Sequence, residues 1–481
     1  MRAKVVYRYI GVVLLLDAAF MLLSAAMSLT DGNMRALTVL LVAGGITLVL
    51  GGVPVMVFPR EKNFSNKESY CIVVGAWLAS CVVGMLPYLL WGEPFDFTAA
   101  WYESASGFTT TGSTIIEDID AIPNGLLFWR SCTNWIGGAG VVMFAMLIMP
   151  VLGRSRMLVS HVEMSSLARD DFKYTSGKIT RILLGVYLCL SAACCAALMV
   201  AGMGWFDAVN HAMATVATGG FSTHTMSLAH WNSGTVEAVT LVFMAASGIH
   251  FGVIFATLTG RRNNIFRSEV ARYWVLCLVA MTLVVAVSVT ANGTYGSFWE
   301  ALRFSSFQTV STATTTGFMV ADTNLWGPLA MVVLMFAGVQ CACAGSTSGG
   351  LKADRVYLAA KLLRHQIRQQ QHPNAIIRIK LSGATQESSV MAFTVLFIVA
   401  YFFVLGIGTV VFAAWGYDFV SAFSMSVGNL SNLGNGFGRT GGFTVATHLP
   451  TELRWFSTLL MLLGRLEIFG LLQLFLLKWW K

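Results

Sequence analysis

Thr110-Thr111-Gly112-Ser113, Thr218-Gly219-Gly220-Phe221, Thr315-Thr316-Gly317-Phe318 and Asn432-Leu433-Gly434-Asn435 are four glycine-centred stretches in one chain of 481 residues. Each follows a short amphipathic run with an acidic residue near its start: Asp96, Asp207, Glu300 and Asp418. Each is followed by a loop and then a long apolar segment. A unit recurring at intervals of about 100 residues predicts four quasi-equivalent pieces around one axis, with the glycines meeting there. Rings of backbone carbonyls presented by such loops replace the hydration shell of a potassium ion in a pore. Glycine suits the centre because it takes positive φ without a Cβ clash and lets a carbonyl turn inward.

The composition sets the surroundings. Hydrophobic residues make up 56% of the chain and charged residues 11%, with a mean hydropathy of +0.69. A soluble domain carries about 25% charged residues, so the chain reads as an all-α polytopic membrane protein. The net charge of +8 points to cytoplasmic loops and not to nucleic acid. The nine cysteines, Cys81, Cys132, Cys194, Cys195 and Cys277 among them, fall mostly in apolar runs and read as packing residues. Cys341-Ala342-Cys343 lacks the ligand spacing of a zinc site.

A spanning helix needs about 20 apolar residues. That length predicts about ten spans: 5–29 and 37–58 as an N-terminal pair, then 71–91, 125–152, 179–203, 236–258, 270–290, 325–361, 390–415 and 453–477. The first is too long for a cleaved signal and is followed at once by a second. The runs before the glycines, such as Phe95 to Phe108, are half-spans of roughly 20 Å, tolerated only where protein or water surrounds the irregular backbone that follows. Their C-terminal dipole ends favour a cation. Positive clusters (Arg60/Lys62/Lys67, Arg154/Arg156 with Lys173/Lys178/Arg181, Arg261/Arg262/Arg267/Arg272, and Lys352/Arg355/Lys361/Arg364/Arg368/Arg378/Lys380) alternate with acidic loops. The positive-inside rule then puts both termini in the cytoplasm and opens all four glycine loops outward in a multi-pass cytoplasmic (inner) membrane protein. The acidic outer loops would gather cations. The implied units are 1–66 (N-terminal helix pair), 67–160, 161–262, 263–370 and 371–481 (four pore repeats).

The motifs resemble the TrkH branch of the Trk/Ktr/HKT superfamily of potassium transporters over nearly the whole chain. The specific parts are Ser106 to Thr114, Trp129-Arg130-Ser131, Trp135 to Gly140, Ala217 to His224, Thr314 to Phe318, Cys343 to Gly350 and Gly464-Arg465-Leu466-Glu467. The resemblance implies potassium, and no organic cofactor, passing a filter built from Thr110, Thr111, Gly112, Thr218, Gly219, Gly220, Thr315, Thr316, Gly317, Asn432, Leu433 and Gly434. It implies a homodimer in membrane lipid and a cytoplasmic nucleotide-binding ring of the TrkA type. It also implies a gate at Gly345, Ser346, Thr347, Ser348, Gly349 and Gly350, with Arg465 near the pore. Two departures stand out: the fourth loop lacks the threonine signature, and His161 to Lys178 lacks the acidic-Pro-Gly-Pro stretch associated with many such chains.

Each residue also has a plainer reading. The threonines serve as ion ligands through carbonyls and hydroxyls, or only satisfy loop backbone. Six small and polar residues in a row from Gly345 form a cavity-lining break, or a small-residue packing interface. Arg465 raises a barrier to cations, or sits in an internal pair; Glu467, two positions on, does not share its helix face. His211 reads as a satisfied buried histidine, and Gly434 to Gly438 follows a half-span and not a strand, so it is no dinucleotide loop. No nucleophile–base or metal constellation supports an enzyme. Potassium uptake through a gated pore is the expected function. The alternative is a proton- or sodium-coupled symporter, which would want mid-span carboxylates, and the spans offer almost none apart from Glu467.

Overall fold

The computed structural model describes residues 2–61, 65–148, 176–260, 264–372, 379–381, 384–386, 388–434 and 436–475. Asn435, Lys62, Arg261, Arg262 and Arg378, and most of His161 to Lys178 with Arg154, Arg156 and Lys173, lie outside them.

The N-terminal pair is α1 (Ala3–Met27) and α2 (Met34–Val57), which pack on each other. The first repeat holds α3 (Asn66–Gly84), α4 (Leu86–Trp91), α5 (Phe97–Phe108) and α6 (Asn124–Ile148). The second holds α7 (Ser176–Val200), α8 (Trp205–Ala217), α9 (Gly234–Ser247) and α10 (Phe251–Leu258). The third holds α11 (Glu269–Ala291), α12 (Phe298–Ala313), α13 (Pro328–Gln340) and α14 (Ala353–Gln371). A two-residue hairpin, Lys380–Leu381 with Ala384–Thr385, leads to the fourth: α15 (Ser388–Ala414), α16 (Phe419–Leu430), α17 (Thr451–Arg465) and α18 (Phe469–Phe475). The architecture is all-α and polytopic, as the composition requires.

The helices α5, α8, α12 and α16 have 12, 13, 16 and 12 residues, each too short to cross. The acidic residues at their starts are helix-entry devices. The Asp96 carboxylate accepts the Ala99 N–H at 2.6 Å and the Asp418 carboxylate accepts the Ser421 N–H at 3.2 Å. Asp207 and Glu300 sit in first turns, where a negative charge complements the helix dipole.

The helix after each glycine loop packs on the short helix of the next repeat: α6 on α8, α9 on α12, α13 on α16, and α17 back on α5. That last contact joins the end of the chain to its first repeat and closes the ring. Close approach is built in: a Cβ on Gly137 of α6 would overlap the Phe108 carbonyl at the end of α5.

The ten continuous spans expected from hydropathy are not all continuous. Among the described residues six helices have the length and composition to cross, and α9 with α10 makes a seventh only as a pair bent by 105°. The segment 325–361 leaves helical geometry between Gln340 and Ala353, as its glycines and serines suggest. The segment 453–477 breaks after Arg465, where Glu467 and Ile468 take φ of 53° and 48°. In 236–258 the chain is apolar on both sides of the break, so hydropathy does not register it there, whereas in 325–361 the apolar α13 gives way to the charged α14. Of the four helices that follow glycine loops, α6 alone runs unbroken, for 25 residues.

Two helix carboxylates, Asp17 and Glu103, have no exposure at all, so the spans and half-spans hold acidic groups besides Glu467. Asp17 of α1 is fully buried and accepts the Ser80 hydroxyl at 2.7 Å. Glu103 of α5 is fully buried against Arg130 of α6, with Nε 2.8 Å from its carboxylate. Glu103 also accepts the Thr114 hydroxyl at 3.0 Å and the Ile115 N–H at 3.1 Å, while Arg130 donates to the Ser222 carbonyl at 3.0 Å and lies 4.1 Å over the Phe221 ring. The pair therefore ties the loop after Gly112 to the loop after Gly220. Removing one member leaves the other charge buried and unpaired. Arg130→Ala should lower the unfolding free energy by roughly 3–5 kcal/mol, read as a lower melting temperature of the detergent-solubilised chain; a melting point like the parent's would show that the pair braces nothing.

Candidate ion-coordination site

The four short helices end alike. Residues Thr110, Thr218, Thr315 and Asn432 take left-handed φ of 54°, 52°, 57° and 57°, and Gly112, Gly220, Gly317 and Gly434, two positions on, take 79°, 73°, 80° and 79°. After each left-handed residue the next N–H reaches back to the helix: Thr111 to the Ser106 carbonyl, Gly219 to Ala214, Thr316 to Ser311 and Leu433 to Gly428, at 2.8–2.9 Å. This is a Schellman ending repeated four times. A non-glycine residue at positive φ is uncommon, and asparagine is among those that tolerate it best. The fourth loop thus keeps the shared backbone path although it lacks the threonine signature.

The loops meet in cyclic order. A Cβ on Gly112 would overlap the Gly219 carbonyl, one on Gly220 the Thr316 carbonyl, and one on Gly434 the Thr111 carbonyl. The carbonyl oxygens of Thr110, Thr111, Gly112, Thr218, Gly219, Gly220, Thr315, Thr316, Asn432, Leu433 and Gly434 accept no hydrogen bond from any described residue. Most of these residues are buried, whereas the four central glycines are only half-buried. More than 90% of buried backbone polar groups in proteins are paired. The orphan carbonyls thus form a ring of oxygens whose lone pairs stay free among the described residues.

The threonine hydroxyls do other work. Thr111 Oγ1 lies 2.8 Å from Thr109 Oγ1 and accepts the Asn432 side-chain N–H at 3.1 Å; Thr316 Oγ1 lies 2.7 Å from Thr314 Oγ1. Thr218 donates to the Ala217 carbonyl at 2.7 Å. The Thr111, Thr218 and Thr316 hydroxyls thus brace the loops, whereas that of Thr110 is buried with no hydrogen-bond partner among the described residues. Asn432 crosses from repeat 4 to repeat 1 and donates as well to the Met461 carbonyl at 2.9 Å.

The stretch Gly345 to Gly350 seats against the ends of the short helices. Thr347 donates its hydroxyl to the Val216 carbonyl at 2.9 Å, the Gly349 N–H donates to Thr315 Oγ1 at 3.0 Å, and a Cβ on Gly349 would overlap the Ser431 carbonyl. Ser346, Thr347 and Ser348 are buried. The break between α9 and α10 meets this stretch: the Cys343 N–H donates to the Gly248 carbonyl at 3.0 Å and the Phe251 N–H to the Gly345 carbonyl at 3.2 Å. Asp354 accepts the Ala344 N–H at 2.5 Å. Arg465 is 5% exposed; its guanidinium donates to the Thr347 carbonyl at 2.9 Å and to the Gly137 carbonyl at 3.0 Å. Glu467, in the left-handed turn beyond the helix, pairs instead with Arg355 at 2.9 Å.

Some participants escaped the sequence reading. Lys352 and Arg355, counted among surface cations, are buried, and Lys352 Nζ donates to the Ser348 carbonyl. Asn134 of α6 lies against Gly219 with both side-chain polar atoms unpartnered among the described residues, and the two side-chain polar atoms of Gln340 at the end of α13 are likewise unpartnered among them. Nothing in residue type separates a lysine under a loop from one on a surface. An asparagine inside an apolar run is a visible signal, and Asn134 could have been singled out on it.

The family model described as cation transport protein, TrkH, matches residues 36–479. The chain belongs to the TrkH family of cation transport proteins. It is 32% identical over 487 residues to the Trk system potassium uptake protein TrkH of Salmonella typhimurium and 33% identical over 494 residues to that of Halomonas elongata, each match covering all of both chains. The potassium uptake protein TrkG of Escherichia coli is 31% identical, with 86% of each chain covered. The crystal structure of the potassium transporter TrkH from Vibrio parahaemolyticus superposes with a TM-score of 0.90 at 30% identity, covering all of both chains. A family of transporters agrees with the expectation that the chain is not an enzyme.

In this TrkH-family chain the ring leaves no room for a side chain at its centre. Gly220→Ala adds a Cβ overlapping the Thr316 carbonyl at a φ that side chains rarely adopt. It should cut cation flux into proteoliposomes at least ~tenfold, or about 1.4 kcal/mol of barrier. Gly185→Ala on α7, with nothing within 4 Å of the added atom, should leave flux unchanged. Equal flux in both variants would refute the seating of Gly220 against its neighbour.

Proposed function

We propose that this chain takes up potassium across the cytoplasmic membrane through a filter formed by the four glycine loops. The observation that carries the reading is the ring of buried carbonyls without protein partners. Carbonyl dipoles at this density replace the water of a weakly hydrated cation. The relatives' names specify potassium. The filter comprises Thr110–Gly112, Thr218–Gly220, Thr315–Gly317 and Asn432–Gly434. We take the repeats as 67–160, 161–262, 263–370 and 371–481 behind a 1–66 helix pair, with both termini cytoplasmic. A homodimer and a TrkA-type cytoplasmic regulatory ring complete the proposal.

The test uses the purified chain in liposomes. Potassium and rubidium should permeate better than sodium and lithium. Gly112→Ser, which pushes a side chain toward the Gly219 carbonyl, should narrow that preference. Equal sodium and potassium permeability in the unmodified protein would reject a potassium-selective filter.

The Gly345 to Gly350 stretch serves as the gate in this reading, and Arg465 is its latch. A fixed charge about 8 Å from an incoming cation repels it by roughly 2 kcal/mol at an effective dielectric of about 20. Water in the cavity screens this, so a several-fold effect is the working size. The contacts to the Thr347 and Gly137 carbonyls add a mechanical part. Charge alone makes Arg465→Lys equivalent to the parent. An ammonium lacks the planar fork that spans two carbonyls, so the latch predicts an intermediate. Arg465→Ala should raise potassium flux several-fold with ion preference largely intact, Arg465→Lys should fall between, and alanines in place of 345–350 should raise flux without a cytoplasmic partner. Unchanged flux in folded Arg465→Ala and in the alanine-substituted stretch would favour simple packing.

A further inference from the structure

The outer loops beyond the first two glycine stretches hold a cluster that takes no part in the ring. Asp120 follows Gly112, and His224 and His230 follow Gly220. One potential ligand atom from each lies within 4.8 Å of the other two. His224 Nδ1 is 2.5 Å from Asp120 Oδ1, and its Nε2 is 3.7 Å from Asp207 Oδ2. The two imidazoles stack with centroids 3.7 Å apart and 6° between planes.

Other groups fix this arrangement. Trp231 stands edge-on to both imidazoles at 5.0 Å. The Thr225 N–H donates to Asp120 Oδ2 at 3.1 Å, and the Thr225 hydroxyl accepts the Ile119 N–H at 2.9 Å. The carboxylate and the imidazoles are therefore positioned from two repeats by contacts beyond their own.

We propose that Asp120, His224 and His230 form an outward-facing binding site for a borderline divalent transition cation of the Zn2+ class. Two imidazole nitrogens and one carboxylate oxygen are a donor set suited to such an ion, and an open side leaves the fourth position to water. Zinc bonds of about 2.0–2.2 Å place tetrahedral ligand atoms roughly 3.4 Å apart. Reaching that spacing takes about 1 Å of opening between His224 Nδ1 and Asp120 Oδ1, now 2.5 Å apart, about 1 Å of closure where ligand atoms stand up to 4.8 Å apart, and a turn of the exposed His230 ring out of its stack so that both nitrogens point at one ion. The cation would displace the proton between His224 Nδ1 and Asp120. Nε2 then faces Asp207, the kind of carboxylate neighbour that orients a ligating histidine. Potassium and magnesium favour oxygen donors, so the imidazoles separate this site from the carbonyl ring. A bound ion would tie the outer loops of repeats 1 and 2 together.

Protons compete for the same nitrogens. The neighbouring Asp207 and Asp120 carboxylates hold the His224 imidazole above its ordinary range, against the effect of burial, so zinc is best titrated at about pH 8. Calorimetry of the purified full chain in detergent with ZnCl2 should give one ion per chain with a dissociation constant of about micromolar size. His230→Ala and Asp120→Asn should each weaken binding at least tenfold, whereas His448→Ala, an exposed histidine of the fourth repeat, should not. Zinc should raise the melting temperature of the parent but not of the His224→Ala/His230→Ala chain. The first variants alter exposed side chains, so a variant that elutes as the parent does reports on the site and not on folding. Unchanged affinity in the double variant, or no saturable binding below about 1 mM, would overturn the assignment. The titration needs no ion flux, so its outcome is separate from that of the uptake reading.

Discussion

The seating of a glycine from one loop against a carbonyl of the next is the constraint on which the structure depends. It leaves no space for a Cβ at Gly112, Gly220 or Gly434. It requires the short helices to converge, and they do so because each packs against the helix that follows the preceding loop. It also requires the carbonyls to be released from ordinary backbone pairing. The Schellman endings achieve this by turning the N–H groups of Thr111, Gly219, Thr316 and Leu433 back into the helix while the carbonyls of the same loops stay unpaired among the described residues. A ring of unpaired backbone acceptors results from the way four helices end.

What lies against the ring is held differently. Three of the four helices that follow the glycine loops are broken, in repeats 2, 3 and 4. The backbone groups freed by the breaks are satisfied by one another and by buried charge. Gly248 and Gly345 accept N–H groups from Cys343 and Phe251, Asp354 accepts from Ala344, and Lys352 and Arg465 donate to Ser348 and Thr347. Irregular backbone at membrane depth is tolerable only under such compensation. The compensation comes from several repeats at once, so the stretch can be displaced only by breaking contacts to Val216, Thr315 and Arg465 together.

Buried charge has a further use outside the ring. Glu103 and Arg130 satisfy each other and spend their remaining hydrogen bonds on two loops. A buried pair of this kind gives little net stability over an apolar pair. It fixes the relative position of repeats 1 and 2 through directional bonds that apolar packing lacks. The Asp120–His224 contact repeats that link further out, in a solvent-exposed setting.

The sequence by itself determined the class and the repeat. Hydropathy decided that the chain is a polytopic membrane protein, because burying polar backbone in lipid requires long apolar helices. The four glycines located the ring, because positive φ and close approach leave few alternatives to glycine. Gly345 to Gly350 announced a break through composition alone. Tertiary structure decided the rest. Asn432, where the other three loops carry threonine, donates its amide to Thr111 of the adjacent loop, a contact 321 residues apart in the chain. The break at Ser247 is met by backbone partners from repeat 3, with Cys343 donating to Gly248 and Phe251 to Gly345, whereas beyond Arg465 the N–H groups of Leu466, Glu467 and Ile468 turn back onto Leu462, Gly464 and Leu463 of their own helix. Lys352 and Arg355 lie in a charged stretch and are buried, because the cost of burying a cation depends on its partners: Lys352 finds the Ser348 carbonyl in the irregular turn just before it, and Arg355 the Glu467 carboxylate 112 residues on.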